Sequence, residues 1–143
     1  MELKFKKLNQ YAITPTRGSE KAAGWDLYAM NTVSIHPHET EKIGTGIAVA
    51  IPDGNFGGIF ARSGIATKQG LRPANCTGVV DSDYRGEVIV ALHNDSTNTR
   101  IIEAGERIAQ LIVMPFVSVE FNEVDELDET ERGSGGFGST GAK

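Results

Sequence analysis

Residues 78–96 read GVVDSDYRGEVIVALHNDS, and their pattern decides the fold class. Two apolar residues lead into a polar turn, Asp81-Ser82-Asp83-Tyr84-Arg85-Gly86. An alternating, β-branched run follows at Glu87–His93 and is closed by Asn94-Asp95-Ser96. A period of two bounded by turn formers is the signature of a strand. The same design recurs along the chain, with candidate strands at Leu3–Leu8, Trp25–Tyr28, Thr32–Ile35, Ile43–Ile51, Phe56–Phe60, Arg100–Ile102 and Ile108–Phe116. Pro52-Asp53-Gly54 and Glu103-Ala104-Gly105-Glu106 supply further turns. Helical periodicity is almost absent. One short helix is expected at Ser63–Gln69, with Ser63 as N-cap and Gly70 as stop. Short strands at this spacing predict an all-β sandwich or barrel with one short helix and no internal repeat.

The chain has 143 residues, enough for one domain with a real core. We expect a single β body over 1–120 and an acidic connector with a mobile Gly-rich tail over 121–143. Its net charge of −5 is unevenly placed. Residues 1–116 hold twelve acids and twelve bases, whereas 117–143 hold seven acids against Arg132 and Lys143. A neutral body argues against partners that need a broad basic face, nucleic acid and anionic membrane among them. Cys76 is the only cysteine, so neither an intrachain disulfide nor a Cys-rich zinc site is expected. No apolar run approaches the roughly 18–20 residues that span a bilayer, and MELKFKKLNQ lacks an apolar signal core. These features predict a soluble protein of a reducing compartment, cytoplasmic, with a nuclear or viral host-cell setting also compatible.

Four segments carry candidate chemistry. In the tail, Gly133, Gly135 and Gly138 match G-x-G-x-x-G, and Gly133 and Gly138 match a Walker A spacing with Ser139 where lysine is required. Both motifs work where a strand leads into a helix that holds phosphate, and neither element is expected here. What remains is a run of unhindered backbone N–H groups, two hydroxyls and a guanidinium able to wrap an anion. The alternative is a plain disordered Gly/Ser tail. The 81–86 turn offers a carboxylate for general-base work and a tyrosine ring that could pack on a sugar. Its plainer reading is an ordinary β-turn, with Arg85 pairing to Asp83 or Asp26. ARSGIATKQG, 61–70, combines a charge, a hydroxyl and backbone donors suited to phosphate, or is simply a capped helix start. In RIAQLIV, 107–113, a regular strand would place Arg107 and Ala109 on one face and Ile108 and Gln110 on the other. His36 and His38 flank Pro37 without a third metal ligand and read as surface residues. Trp25 reads as packing. Cys76 reads as a small, buried or half-buried side chain with no reason to be a thiolate.

In joint order, AAGWDLYA (22–29), ARSGIATKQG (61–70), NCTGVVDSDYRGEV (75–88), RIAQLIV (107–113) and ERGSGGFGSTG (131–141) closely resemble the five motifs of the trimeric dUTPases, the dUTP pyrophosphatases. The resemblance runs from about residue 11 to 141. It implies a distorted jelly-roll β fold and a homotrimer whose three sites each draw residues from all three subunits. The implied reaction is Mg²⁺-assisted hydrolysis of dUTP to dUMP and pyrophosphate, which limits uracil in DNA and supplies dUMP for thymidylate synthesis. Asp81 would be the general base that activates water for attack on the α-phosphorus. Tyr84 would lie against the deoxyribose and leave no room for a 2′-hydroxyl. Asn75, with backbone groups of Gly78, Val79, Val80 and Ile89, would read the uracil edge. Arg62, Ser63, Gly64 and Gln110 would hold phosphates, and Asp26 would support the metal through water and neighbouring arginines. Arg132, Gly138, Ser139 and Thr140 would close over the β- and γ-phosphates while Phe137 stacks on uracil. Ala61 replaces a proline common before Arg-Ser, and Trp25 fills a variable position; neither removes a chemical group. A dCTP deaminase of the same superfamily would need a carboxylate aimed at the base, and the segment after Arg62-Ser63 offers none. A nucleotide-binding protein without turnover is disfavoured by Asp81 and the complete tail.

Overall fold

The computed structural model describes residues 1–143. Ten strands and one helix follow in order: β1 (Lys4–Lys7), β2 (Trp25–Tyr28), β3 (Val33–Ile35), β4 (Thr40–Ala50), β5 (Asn55–Phe60), α1 (Ser63–Gln69), β6 (Leu71–Pro73), β7 (Gly78–Val80), β8 (Glu87–Asn94), β9 (Arg100–Ile102) and β10 (Arg107–Pro115). They form two four-stranded antiparallel sheets, β1-β4-β8-β6 and β2-β10-β5-β7, and a β3-β9 ribbon. Alternation sets the faces. Along β8, Val88, Val90, Leu92 and Asn94 are buried while Ile89 is half exposed. Val88, Val90 and Leu92 join Leu27, Ile35, Ile43, Ile59, Ile108 and Leu111 in one apolar cluster fed by both large sheets and the ribbon. Buried Asn94 ends β8: its amide donates to the Ile35 and Asn98 carbonyls at 2.9 and 2.8 Å, and its oxygen accepts from Ser96.

The eight expected strands and the helix are all present. Two short strands, β6 and β7, were not expected. More consequential is where the turns lead. The polar turn 81–86 joins two strands, but β7 lies in one sheet and β8 in the other. Val80 pairs with Gly57 of β5, and Glu87 pairs with Ala48 of β4. The link Asp81–Gly86 therefore crosses between sheets, as does the Pro52–Gly54 turn between β4 and β5.

Two local expectations are corrected. Ser63 is the first helical residue rather than the N-cap. The capping position belongs to Arg62, which is extended (φ −89°, ψ 129°) and makes no side-chain cap. Its carbonyl accepts the first helical bond from Ala66 while its guanidinium turns away to a carboxylate. Gly70 does end the helix, in the left-handed conformation at φ +70°. In β10 the regular alternation fails as well. Arg107 pairs with Tyr28 and Ala109 with Leu27, so Ile108 is an extra residue, and Ile108 and Ala109 are both fully buried.

Candidate active site

Three places hold the residues singled out by sequence. The first is the gap between β7 and β8. β7 is an edge strand of its sheet. β6 runs beside β8 only from Leu92 to Asn94, with one more bond from Ala74 N–H to the Ala91 carbonyl. Residues 87–90 are thus open on that side. The two strands splay around a cavity of about 190 Å³ lined by Val79, Val80, Asp81, Tyr84, Glu87, Val88 and Ile89. Asp81 is exposed at its mouth, and its carbonyl accepts the Tyr84 N–H at 3.2 Å. The half-exposed Tyr84 ring is held by its hydroxyl, which donates to the Glu87 carbonyl at 2.9 Å. Gly86 is required under that ring, since a Cβ there would come 2.4 Å from the hydroxyl oxygen. Gly78 packs on Ile59, and a Cβ would sit 3.5 Å from Nδ2 of exposed Asn75. Arg85 pairs with neither Asp83 nor Asp26; it donates to the Ser82 and Tyr84 carbonyls and stiffens the turn.

The second place is the far end of the sheet that contains β7. Across β2-β10-β5, Asp26 opposes Gln110, which opposes Phe60. Phe60 leads directly into Ala61-Arg62-Ser63-Gly64. Arg62 Nε donates to Asp26 Oδ1 at 2.9 Å, and Arg107 Nη1 approaches Asp26 Oδ2 at 3.4 Å. Gln110 Nε2 donates to the Ala61 carbonyl at 2.9 Å. Gly24 allows this: a Cβ there would lie 2.2 Å from Gln110 Oε1. Asp26 is largely buried, with 14% of its side chain exposed, against 26% for Arg62 and 49% for Arg107. Two guanidiniums on one carboxylate leave a net positive group beside exposed Ser63 and Gly64. Arg107, Gly24 and Gly86 lie within the quoted segments, but the sequence assigns none of them a site role. The β10 bulge accounts for the first, and the two glycines show their purpose only when their neighbours are placed.

These two groups do not meet within the chain. Gly57 pairs with Val80, so Asp81 follows at the level of Phe56 near the start of β5, whereas Arg62 follows its end. The five-residue step from Gly57 to Arg62 spans about 17 Å.

The third place is the tail. Beyond Phe116, whose N–H donates to the Gly54 carbonyl, no hydrogen bond joins 117–143 to the body. The tail closes only on itself. Arg132 Nε donates to the Gly135 carbonyl at 2.8 Å, and Gly133, Phe137 and Gly138 adopt positive φ. Thr130, Glu131, Arg132, Ser139 and Thr140 line one open concavity, with Phe137 fully exposed.

The donor set bears on the metal. No three His, Cys, Asp or Glu side chains gather where they could ligate an ion, and both Asp26 oxygens are engaged by arginines. Such a set does not suit a resident cation caged by protein. A hydrated cation held chiefly by a bound anion would be compatible with it, because such an ion keeps much of its water shell.

Other candidates fall outside the site. Cys76 is exposed rather than buried, in a turn at φ +61°. Trp25 is also partly exposed, with the Arg17 guanidinium 4.7 Å above its ring. His36 contacts Thr99, and His38 sits in a turn at φ +63°.

Comparison with known proteins identifies the family. A family model described as dUTPase matches residues 10–141. The deoxyuridine 5′-triphosphate nucleotidohydrolase of Nautilia profundicola is 50% identical over 141 residues, 99% of each chain. A variant of the Staphylococcus bacteriophage 80alpha dUTPase solved with dUpNHpp has a TM-score of 0.89 and 31% identity, over 99% of each chain. A dUTPase variant from S. aureus phage phi11, studied for coordination of a structural Mg(II) ion, has a TM-score of 0.83 and 26% identity, over 90% of this chain and all of that one.

Proposed function

The chain belongs to the dUTPase family, and on that premise we propose that it hydrolyses dUTP to dUMP and pyrophosphate as a homotrimer with sites shared between subunits. The observation that carries the shared site is the separation of Asp81 from Arg62. About 17 Å of strand is too far for both to reach the linked phosphates of one nucleotide. In a closed ring each subunit presents one end of its sheet to a neighbour's opposite end. The β7–β8 gap of one subunit then faces the Asp26–Arg62–Gln110 group of the next, and a third supplies its free tail. The cavity of about 190 Å³ is below the usual size of a complete ligand pocket, as half a site should be.

In this assembly the uracil ring enters the gap between β7 and β8. The free backbone edges of Gly78, Val79, Val80 and Ile89, with Asn75, read its polar rim. A flat ring there takes the place of a missing strand, and a thymine methyl would collide with that backbone. Tyr84 supports the deoxyribose face and excludes a 2′-hydroxyl. The substrate enters as its Mg²⁺ complex, in which the ion offsets triphosphate charge and fixes its geometry. Arg62, Ser63, Gly64 and Gln110 align the phosphates, and Asp26 holds Arg62 and Arg107 in place for them. Asp81 takes the proton from a water as its oxygen bonds to the α-phosphorus; the α–β bridging P–O bond breaks and pyrophosphate leaves. Arg132, Gly138, Ser139 and Thr140 close over the β- and γ-phosphates, and Phe137 covers the base, excluding water from the leaving group.

The test is an assay with Mg²⁺ against four nucleotides. Conversion of dUTP to dUMP and pyrophosphate, with dCTP, dTTP and UTP nearly untouched, is the expected result. Comparable turnover of dCTP, or no pyrophosphate, contradicts the proposal.

A further inference from the structure

Between Gly44 and Ala48, a four-residue step on β4 is answered by only two on β8, from Ile89 to Glu87. The surplus folds around the start of β8. Thr45, 1% exposed, donates its hydroxyl to the Val88 carbonyl at 2.6 Å. The Gly46 N–H donates to Glu87 Oε1 at 2.7 Å. Gly46 stands at φ +67°, and a Cβ on it would meet Met30 Sδ at 2.7 Å and Ala12 Cβ at 2.8 Å. A Cβ on Gly44 would meet the Glu87 carboxylate oxygen itself at 2.7 Å. Two glycines thus shape a seat for one carboxylate. Glutamate is an expensive side chain to bury in part, and a charge-assisted bond to a backbone N–H offsets that cost. The same residue's carbonyl accepts the Tyr84 hydroxyl. Tyr84 hangs from Glu87, and Glu87 is fastened to the β4 bulge.

We infer that Glu87 is a positioning residue for sugar selection: its carboxylate, seated on Gly46, fixes the carbonyl that holds the Tyr84 ring at the sugar site. The inference rests on the reading of Tyr84 as the sugar platform. Without the seat, the first residue of β8 loses its side-chain anchor. Its carbonyl then drifts, and the ring tilts to admit a 2′-hydroxyl. A purely structural glutamate would alter stability and the turnover of both nucleotides in parallel, leaving their ratio alone.

The experiment measures kcat/KM for dUTP and for UTP on the wild-type enzyme and its variants. Glu87→Ala lowers the dUTP/UTP ratio about five- to tenfold, the scale of one lost hydrogen bond. Glu87→Gln keeps the ratio within about twofold, because its amide oxygen accepts the same N–H. Gly44→Ala reproduces the alanine result with Glu87 still present, by pushing the carboxylate off its seat. Should Glu87→Ala fail to fold, Gly44→Ala and Tyr84→Phe carry the test, the latter removing only the hydroxyl that hangs from Glu87. A ratio unchanged in Gly44→Ala or in Tyr84→Phe overturns the inference, as does Glu87→Gln behaving like the alanine variant. A wild-type enzyme that fails to prefer dUTP over UTP overturns instead the reading of Tyr84, and the inference with it.

Discussion

Asp81 and Arg62 stand at opposite ends of the same strand pair: Asp81 follows the residue opposite Gly57, at the start of β5, and Arg62 lies just past the end of that strand. Strand register is a rigid ruler, so no side-chain rotation brings the two together. The proposed reaction calls for both a base at the α-phosphorus and cations along the phosphates. If Asp81 and Arg62 take those roles, they do so from different ends of one sheet.

Gln110 depends on a missing side chain. Gly24→Ala would place a Cβ 2.2 Å from Gln110 Oε1, driving the amide off the Ala61 carbonyl. If Gln110 aligns phosphates as proposed, such a misplacement is costly, and kcat/KM for dUTP should fall about tenfold or more. Gly18→Ala, with open space around its Cβ, is the control and should match wild type.

The tail contributes nothing to the body's hydrogen bonding. Deleting 131–143 should therefore leave the melting temperature within about 1–2 °C, while steady-state dUTP turnover falls at least about 100-fold through loss of the closing groups. A comparable fall in melting temperature would mean that the tail is part of the fold.

Away from the site, Arg72 Nε donates to Asp95 Oδ2 at 2.7 Å. That hydrogen bond is the main reason the Asp95 carboxyl titrates below the ordinary carboxylate range. A depressed folded-state pKa adds stability above the unfolded pKa and loses it as pH falls through the folded one. Asp95→Asn should be less stable than wild type at neutral pH, and the difference should shrink steadily below about pH 4. Both partners are exposed, so the effect is small. Denaturant unfolding at several pH values measures it; a gap that widens on acidification contradicts the assignment.

Much of this fold is legible in the sequence where side chains alternate over several residues. Trp25–Tyr28 and Arg100–Ile102 are legible to the residue. Alternation reports which face a side chain takes, not which strand lies beside it. Nothing in GVVDSDYRGEV says that Val80 and Glu87 join different sheets, and that splay makes the pocket. β6, at Leu71–Pro73, is too short and contains proline. The Ile108 bulge breaks the very periodicity used to read it, so Arg107 was placed on the face of Ala109 and its pairing with Asp26 went unseen. The candidate residues themselves were legible because turn and motif chemistry is local. Their division into two distant groups was not, since it follows from register.

Subunit complementation tests the shared site most directly. Homotrimers of Asp81→Asn should lose about 10²–10⁴-fold in turnover, and those of Arg62→Ala should be similarly poor. The two variants are unfolded, mixed in equal amounts and refolded together. If Asp81 and Arg62 act on one nucleotide from different subunits, random mixing restores about a quarter of wild-type activity, since that share of sites receives both intact groups. Activity that stays at the level of the separate variants, in trimers shown to contain both chains, would place both groups in one chain's site and contradict the account.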